Sequence, residues 1–299
     1  MAFQNFDYAP LDRSTQKRIL GVPFWRVALY LLVSVSATAF VSVLTTRHLM
    51  SRRKLHPLNL PANTGVATTL GFSQIFVINL DSRPDRISQL NEVTDYLHLS
   101  YERVRANTSE EAPDDNHTPS SHRACWLSHM NVYHRIANDP LIEDALIAED
   151  DIDFSLDLHM QTAQVMRAVR NDNPAWDMVY LGHCSGVEAQ QSKVVDAKLS
   201  LYRSTNPICT HGYAVSKKGA RKLLQVMEKF TDPLDIMLIH AVADHRVESY
   251  SVAQPLIVQY HFSGDRSDIN MDGGMNDNGD PLVMSTRERI DLLKLLQQS

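Results

Sequence analysis

Apolar residues recur along this chain in three different patterns, and each predicts a different element. The first is an unbroken run: residues 27–44 hold no charge, and two threonines extend the run to 46. Twenty such residues in a helix span the hydrocarbon core of a bilayer. The second consists of short runs without alternation, at residues 74–80, 145–148, 177–182 and 209–215. Runs of that length with no polar partner face read as strands buried on both sides. The third is helical spacing, as in Ile87, Leu90, Val93 and Leu97, which face one way at 3.6 residues per turn. Further helices are expected at 125–137, from Ser216 to residue 229, at 233–243, and at 285–298 with Ile290, Leu292, Leu293 and Leu296 apolar. Strand-like stretches at 101–106 and 250–259 complete the series, and 107–121 is polar enough for a loop. Strands alternating with helices predict an α/β domain whose sheet is flanked by helices. Ser82, Pro84 and Asp85 form a helix-start signature, with Ser82 as the cap.

The organisation follows. Residues 1–26 are an N-terminal tail, 27–46 a transmembrane anchor, 47–72 a stem rich in Pro, Asn, Thr and Gly, and 73–299 the globular domain. A cleaved signal peptide is the competing reading, since Ala37-Thr-Ala39 offers a cleavage site. The long segment ahead of the run and its continuation past that site favour an uncleaved anchor. Arg13, Lys17, Arg18 and Arg26 balance Arg47, Arg52, Arg53 and Lys54, so flanking charge does not orient it. The sequons at Asn107 and Asn116 favour a lumenal domain, hence a single-pass type II protein of the Golgi or ER membrane. Residues 1–54 carry eight of the 29 Lys/Arg but only two of the 35 Asp/Glu. The remainder is strongly acidic, which excludes nucleic acid as a partner. Cys125, Cys184 and Cys209 match no zinc pattern and allow one disulfide plus a free thiol, the pairing left open.

The chemistry concentrates where the strand 145–148 runs into Glu149-Asp150-Asp151-Ile-Asp153. Ligands of open α/β sheets bind at the carboxyl ends of strands. Carboxylates crowded there repel unless a cation neutralises them, which points to Mn²⁺ or Mg²⁺ and a phosphate-bearing substrate. A solvated acidic loop is the plainer alternative.

Four blocks resemble, in order, those of glycosyltransferase family 25, which includes lipopolysaccharide and procollagen galactosyltransferases. They are Val77-Ile-Asn-Leu-Asp-Ser-Arg-Pro-Asp-Arg86, Cys125-Trp-Leu-Ser-His129, Leu146-Ile-Ala-Glu-Asp-Asp151 and Gly212-Tyr-Ala-Val-Ser-Lys-Lys-Gly-Ala220. Pro233-Leu-Asp235 and Pro255-Leu-Ile-Val258 also fit. The resemblance implies a GT-A-like, Rossmann-related mixed sheet. It also implies a UDP-sugar donor, Mn²⁺ or Mg²⁺, and a hydroxyl on a glycan or glycoprotein as acceptor.

Under that resemblance, Glu149 and Asp151 would serve the metal, with Asp153 as a shifted second choice and His261 as a late ligand; His211, His240 and His245 compete with it. Asn79, Asp81, Arg83, Arg86 and Asp150 would contact the nucleotide or orient its ligands, Arg donating in a bidentate fork. Asp235 would deprotonate the acceptor hydroxyl, ahead of Asp232 and Asp244, although helix capping also explains it. Ser128-His129 reads equally as core or as site. The Ser121-His-Arg-Ala124 approach lacks the family's usual glycines, so a non-catalytic binding protein is an alternative. A metal phosphohydrolase using His240 and Asp244 is a third, without a nucleophile motif.

Overall fold

The computed structural model describes residues 18–19, 22–23, 68–112, 118–184, 188–260 and 282–298. Two compact units divide the chain, one of residues 1–65 and one of 66–299. In the first, Arg18–Ile19 pairs antiparallel with Val22–Pro23. The 27–46 run and most of the stem lie outside the described residues. Among the described residues no helix is long and apolar enough to cross a membrane.

The second unit contains strands β1 (Gln74–Asn79), β2 (Glu102–Arg105), β3 (Asp144–Glu149), β4 (Ile152–Phe154), β5 (Met178–Gly182), β6 (Val194–Asp196), β7 (Leu201–Arg203), β8 (Gly212–Ser216), β9 (Ser249–Val252) and β10 (Ile257–Gln259). Its helices are α1 (Pro84–Tyr96), α2 (Ser120–Asn138), α3 (Leu158–Asp172), α4 (Glu188–Gln191), α5 (Lys217–Val226), α6 (Leu234–Ala243) and α7 (Thr286–Gln298). Eight strands form one sheet in the order β2-β1-β3-β8-β5-β9-β7-β6. β1 is parallel to β2 and β3, β8 is antiparallel to β3 and β5, and β9 is parallel to β5. The carboxyl ends of β1, β3 and β5 therefore share one edge with the start of β8. This is the mixed α/β sheet that the alternation of strand and helix patterns predicts.

The apolar runs lack alternation because both faces of the sheet are covered. Ile75, Val77, Leu146, Ala148, Val179 and Leu181 pack with α1 and α3. Their neighbours Phe76, Ile78, Ala145, Ile147, Met178 and Tyr180 pack with α2, α5 and α6 on the opposite face.

Several boundaries differ from expectation. Ser82 is not the cap of α1: Arg83 holds that position, without a side-chain bond, and Pro84 begins the helix. Ser216 does cap α5, accepting from the Gly219 N–H at 2.9 Å. The stretch 250–259 is not one strand. Pro255 interrupts it, and β10 leaves the large sheet to pair antiparallel with β4. This small ribbon crosses the site edge of the sheet, where Gly182 and Gly212 admit Ile257. A Cβ on Gly182 would stand 2.1 Å from the Ile257 carbonyl oxygen.

Candidate active site

At the shared edge lies a cavity of about 500 Å³, lined by the ends of β1 and β3, the first turns of α2 and the loop after β2. β3 ends at Glu149, and Asp150 and Asp151 form the bend between the large sheet and β4. Both aspartates are buried, yet line the cavity. Arg86, in the first turn of α1, places Nη1 between them, 3.0 Å from Asp150 Oδ1 and 3.1 Å from Asp151 Oδ2. Asn79, the last residue of β1, donates from Nδ2 to Asp150 Oδ2 at 2.6 Å and to the Arg83 carbonyl at 3.0 Å. Arg103 closes the other side, donating to Asn79 Oδ1 at 2.7 Å. Two sequence blocks some 70 residues apart thus lock together through side chains.

Glu149 is held differently. Its Oε1 accepts from the Thr210 hydroxyl at 2.8 Å and lies 3.9 Å from His129 Nε2. Burial, then the charge of Asp151, pushes its carboxyl up to about 8. Burial also raises Asp150, with the Asn79 hydrogen bond and Arg86 opposing, and it depresses His129 to about 3. Asp150 and Asp151 share one guanidinium with Glu149 beside them, so the cluster keeps a surplus of negative charge even with Arg86 in place. Its donors are hard oxygens, the set that Mn²⁺ and Mg²⁺ prefer. The residues therefore fit a divalent cation, provided Arg86 yields part of its hold on Asp151.

The remaining candidates separate. Asp81 stands outside the cavity, exposed and paired with Arg103 and Arg105, whose hydrogen bonds keep its carboxyl below the usual range. Arg83 pairs with Asp85 on the first turn of α1. Asp153 turns away: it accepts from the Phe154 and Arg287 N–H groups at 2.8 and 3.3 Å and from Ser285, fastening the start of α7. Asp235 is the second residue of α6; its Oδ1 accepts from Ile236 N–H at 2.9 Å and its Oδ2 from Cys209 N–H at 3.4 Å. It is absent from the cavity lining. His240, Asp244 and His245 are exposed at the opposite end of α6, so the phosphohydrolase pairing of His240 with Asp244 has no access to the acids. His211 is buried against the Ile257 carbonyl oxygen, and His261 lies outside the described residues.

Cys184 and Cys209 form a disulfide with Cα atoms 5.6 Å apart, which leaves Cys125 as the free thiol. Cys184, Cys209 and His211 cluster closely enough for a metal, but the disulfide engages both sulfurs. Thr210 and Gln259, both at the cluster, are contributed by distant segments and carry no local motif. Asn107 also lines the cavity, its backbone N–H donating to the Ser128 hydroxyl at 2.8 Å.

A family model described as "Glycosyltransferase family 25 (LPS biosynthesis protein)" matches residues 72–238. Procollagen galactosyltransferase 1 of Danio rerio is 26% identical over 234 residues, covering 67% of this chain and 38% of that protein. A probable inactive glycosyltransferase 25 family member 3 of Bos taurus is 25% identical over 253 residues, covering 73% and 42%. The chain thus spans about two fifths of the length of these relatives. Among solved structures, A197 from STIV superposes with a TM-score of 0.35 at 11% identity, covering 70% of this chain and 95% of that one.

Proposed function

Because this chain belongs to glycosyltransferase family 25, we propose that it moves a sugar, galactose in the first instance, from a UDP-linked donor to a hydroxyl of a glycan or protein acceptor. The observation that carries this reading is the convergence of Glu149, Asp150 and Asp151 with Arg86 and Asn79 on one cavity. A nucleoside diphosphate leaving group needs its developing charge stabilised, and a bound Mn²⁺ or Mg²⁺ supplies that. Glu149 and Asp151 would hold the ion. Arg86, released in part from Asp151, would donate to phosphate oxygens in its place. Asn79 keeps Asp150 fixed while this exchange occurs. Asp235 would accept the proton only of an acceptor hydroxyl seated beside the cavity, whose lining does not include it. The 27–46 run would anchor the chain with the domain in the Golgi or ER lumen.

Calorimetry of UDP with and without Mn²⁺, followed by a UDP-sugar hydrolysis assay, tests the reading. Metal-dependent binding with turnover is expected. Binding without turnover for any nucleotide sugar and acceptor would favour a non-catalytic protein, as the name of the bovine relative suggests for that protein. Absence of metal-dependent binding would end the proposal. Protease protection of intact microsomes checks the topology: digestion of the domain without detergent would reverse it.

A further inference from the structure

Behind Glu149 lies a buried chain of hydroxyls that the proposed chemistry does not use. His129 is 1% exposed, on α2, and its ring lies nearly parallel to that of Tyr213, interplanar angle 14°. Its Nδ1 is 2.7 Å from the Tyr213 hydroxyl, which is itself 2.6 Å from the Tyr133 hydroxyl. Both tyrosines are fully buried. Tyr133 makes no other side-chain hydrogen bond among the described residues.

Counting protons decides the direction of this chain. Each phenol has one proton to donate, and a neutral imidazole has one N–H and one acceptor nitrogen. If Nδ1 carried the proton, it would donate to Tyr213, Tyr213 would donate to Tyr133, and the Tyr133 proton would be left without an acceptor in the interior. A buried donor without a partner is costly. If Nδ1 accepts instead, Tyr133 donates to Tyr213 and Tyr213 to Nδ1, and the one proton left over sits on His129, which lines the cavity, rather than on Tyr133, which is fully buried and does not. The imidazole N–H then sits on Nε2, which faces Glu149 Oε1 at 3.9 Å.

We infer that His129 is a positioning residue for Glu149, locked as the Nε2–H tautomer by the Tyr133–Tyr213 chain. The separation of 3.9 Å is too long for a hydrogen bond, so in this state the N–H dipole faces the carboxylate without binding it. Thr210 bonds the same oxygen, which leaves Oε2 for the cavity that Glu149 lines. Carboxylate ligands of metals are commonly oriented by such outer partners. This inference rests on the reading of Glu149 as a metal-facing acid, but the tautomer is a property of the chain itself and is measured separately.

The first measurement is nitrogen NMR of histidine-labelled protein, with the His129 signal identified by its loss in His129→Gln. A protonated Nε2 with a bare Nδ1 is expected, and Tyr213→Phe should let the other tautomer appear. Protonated Nδ1 in the unaltered chain, or a tautomer indifferent to Tyr213→Phe, overturns the inference. The second compares Mn²⁺ affinity in two variants. His129→Gln places an amide donor near the Nε2 position and should stay within about threefold; His129→Asn places it near Nδ1 and should lose about 10- to 100-fold. Equal losses with intact melting transitions overturn positioning by the N–H. If both variants fail to fold, Tyr213→Phe, which leaves the imidazole in place, must weaken Mn²⁺ by itself. If the unaltered chain binds no Mn²⁺, the metal reading has failed and the tautomer result alone judges the chain.

Discussion

Asp151 and Asp153 stand two residues apart, are almost equally buried, and are bonded to different partners. Asp151 closes the bend after β3, shares a guanidinium with Asp150 and borders the cavity. Asp153 sits in β4, in the ribbon paired with β10, and spends its oxygens on two backbone N–H groups and the Ser285 hydroxyl. Residues at i and i+2 of a strand would share a face, but the chain leaves one sheet and enters another between them. The difference teaches how to read a buried acid. Partners that are fixed backbone donors mark a carboxylate committed to the fold, whereas a side-chain cation shared on a cavity wall marks one able to exchange it. By this criterion Asp235 falls with Asp153, since its two partners are backbone N–H groups and the cavity lining does not include it.

Asp235 offers the largest expected effect and the severest test of that distinction. As the base, its Asn variant should bind UDP and Mn²⁺ normally yet transfer sugar about 10² to 10⁴ times more slowly. If it only satisfies the end of α6, the cost should instead be a stability loss of about 1 kcal/mol or less. Turnover and melting temperature measured on one preparation separate the outcomes. Near-normal turnover would remove Asp235 from the chemistry.

Asp151→Asn and Asp153→Asn test the pair directly. The first should weaken Mn²⁺-dependent UDP binding by more than the roughly 10- to 100-fold expected for losing a supporting residue, with the melting temperature unchanged. The second should leave binding intact but present an amide to groups that donate, at a cost of roughly 1–3 kcal/mol. For a domain of this size that is a fall of roughly 2–12 °C. Calorimetry and thermal melts of both variants suffice, and an exchange of phenotypes would move the metal to Asp153. A related and smaller change is Gly182→Ala. Its methyl meets the Ile257 carbonyl oxygen, so β10 must shift and carry Gln259 away from the acids. Weaker UDP binding together with a loss of stability is expected, and an unaltered affinity would show that the ribbon does not shape the cavity.

The legibility of these features from sequence follows the same physics. β1, β3, β5 and β8 were readable because strands covered on both faces need consecutive apolar residues. β4, β6 and β7 are three residues each, too short to show any period, and α3 was not anticipated. The acids, Asn79 and Arg86 sit in contiguous blocks and could be named in advance. Their arrangement could not, because an internal counter-ion answers part of the repulsion that argued for a metal. Thr210 and Gln259 reach the cluster only through the fold, and the Cys184–Cys209 pairing depends on β5 and the loop before β8 ending side by side.

The smallest expected effect concerns one proton on Glu149. Its carboxyl is raised from an ordinary 4.5 to about 8 by burial and by Asp151. An acid whose pKa is higher in the folded state binds more protons there than when unfolded, so metal-free stability should decline as pH rises from about 4.5 to about 8. A metal ligand must be deprotonated, so Mn²⁺ binding should expel this proton below pH 8 and release little above it. Titration in buffers of different ionisation enthalpy should report close to one proton at pH 6.5 and almost none at pH 9. Mn²⁺ affinity should rise across the same interval and then level. Glu149→Gln should abolish both the release and the stability slope, while Asp153→Asn, acting on a carboxylate committed to the fold, should leave the release untouched. Proton release that persists in Glu149→Gln would assign the titration to Asp150 or Asp151 and remove Glu149 from the metal's ligands.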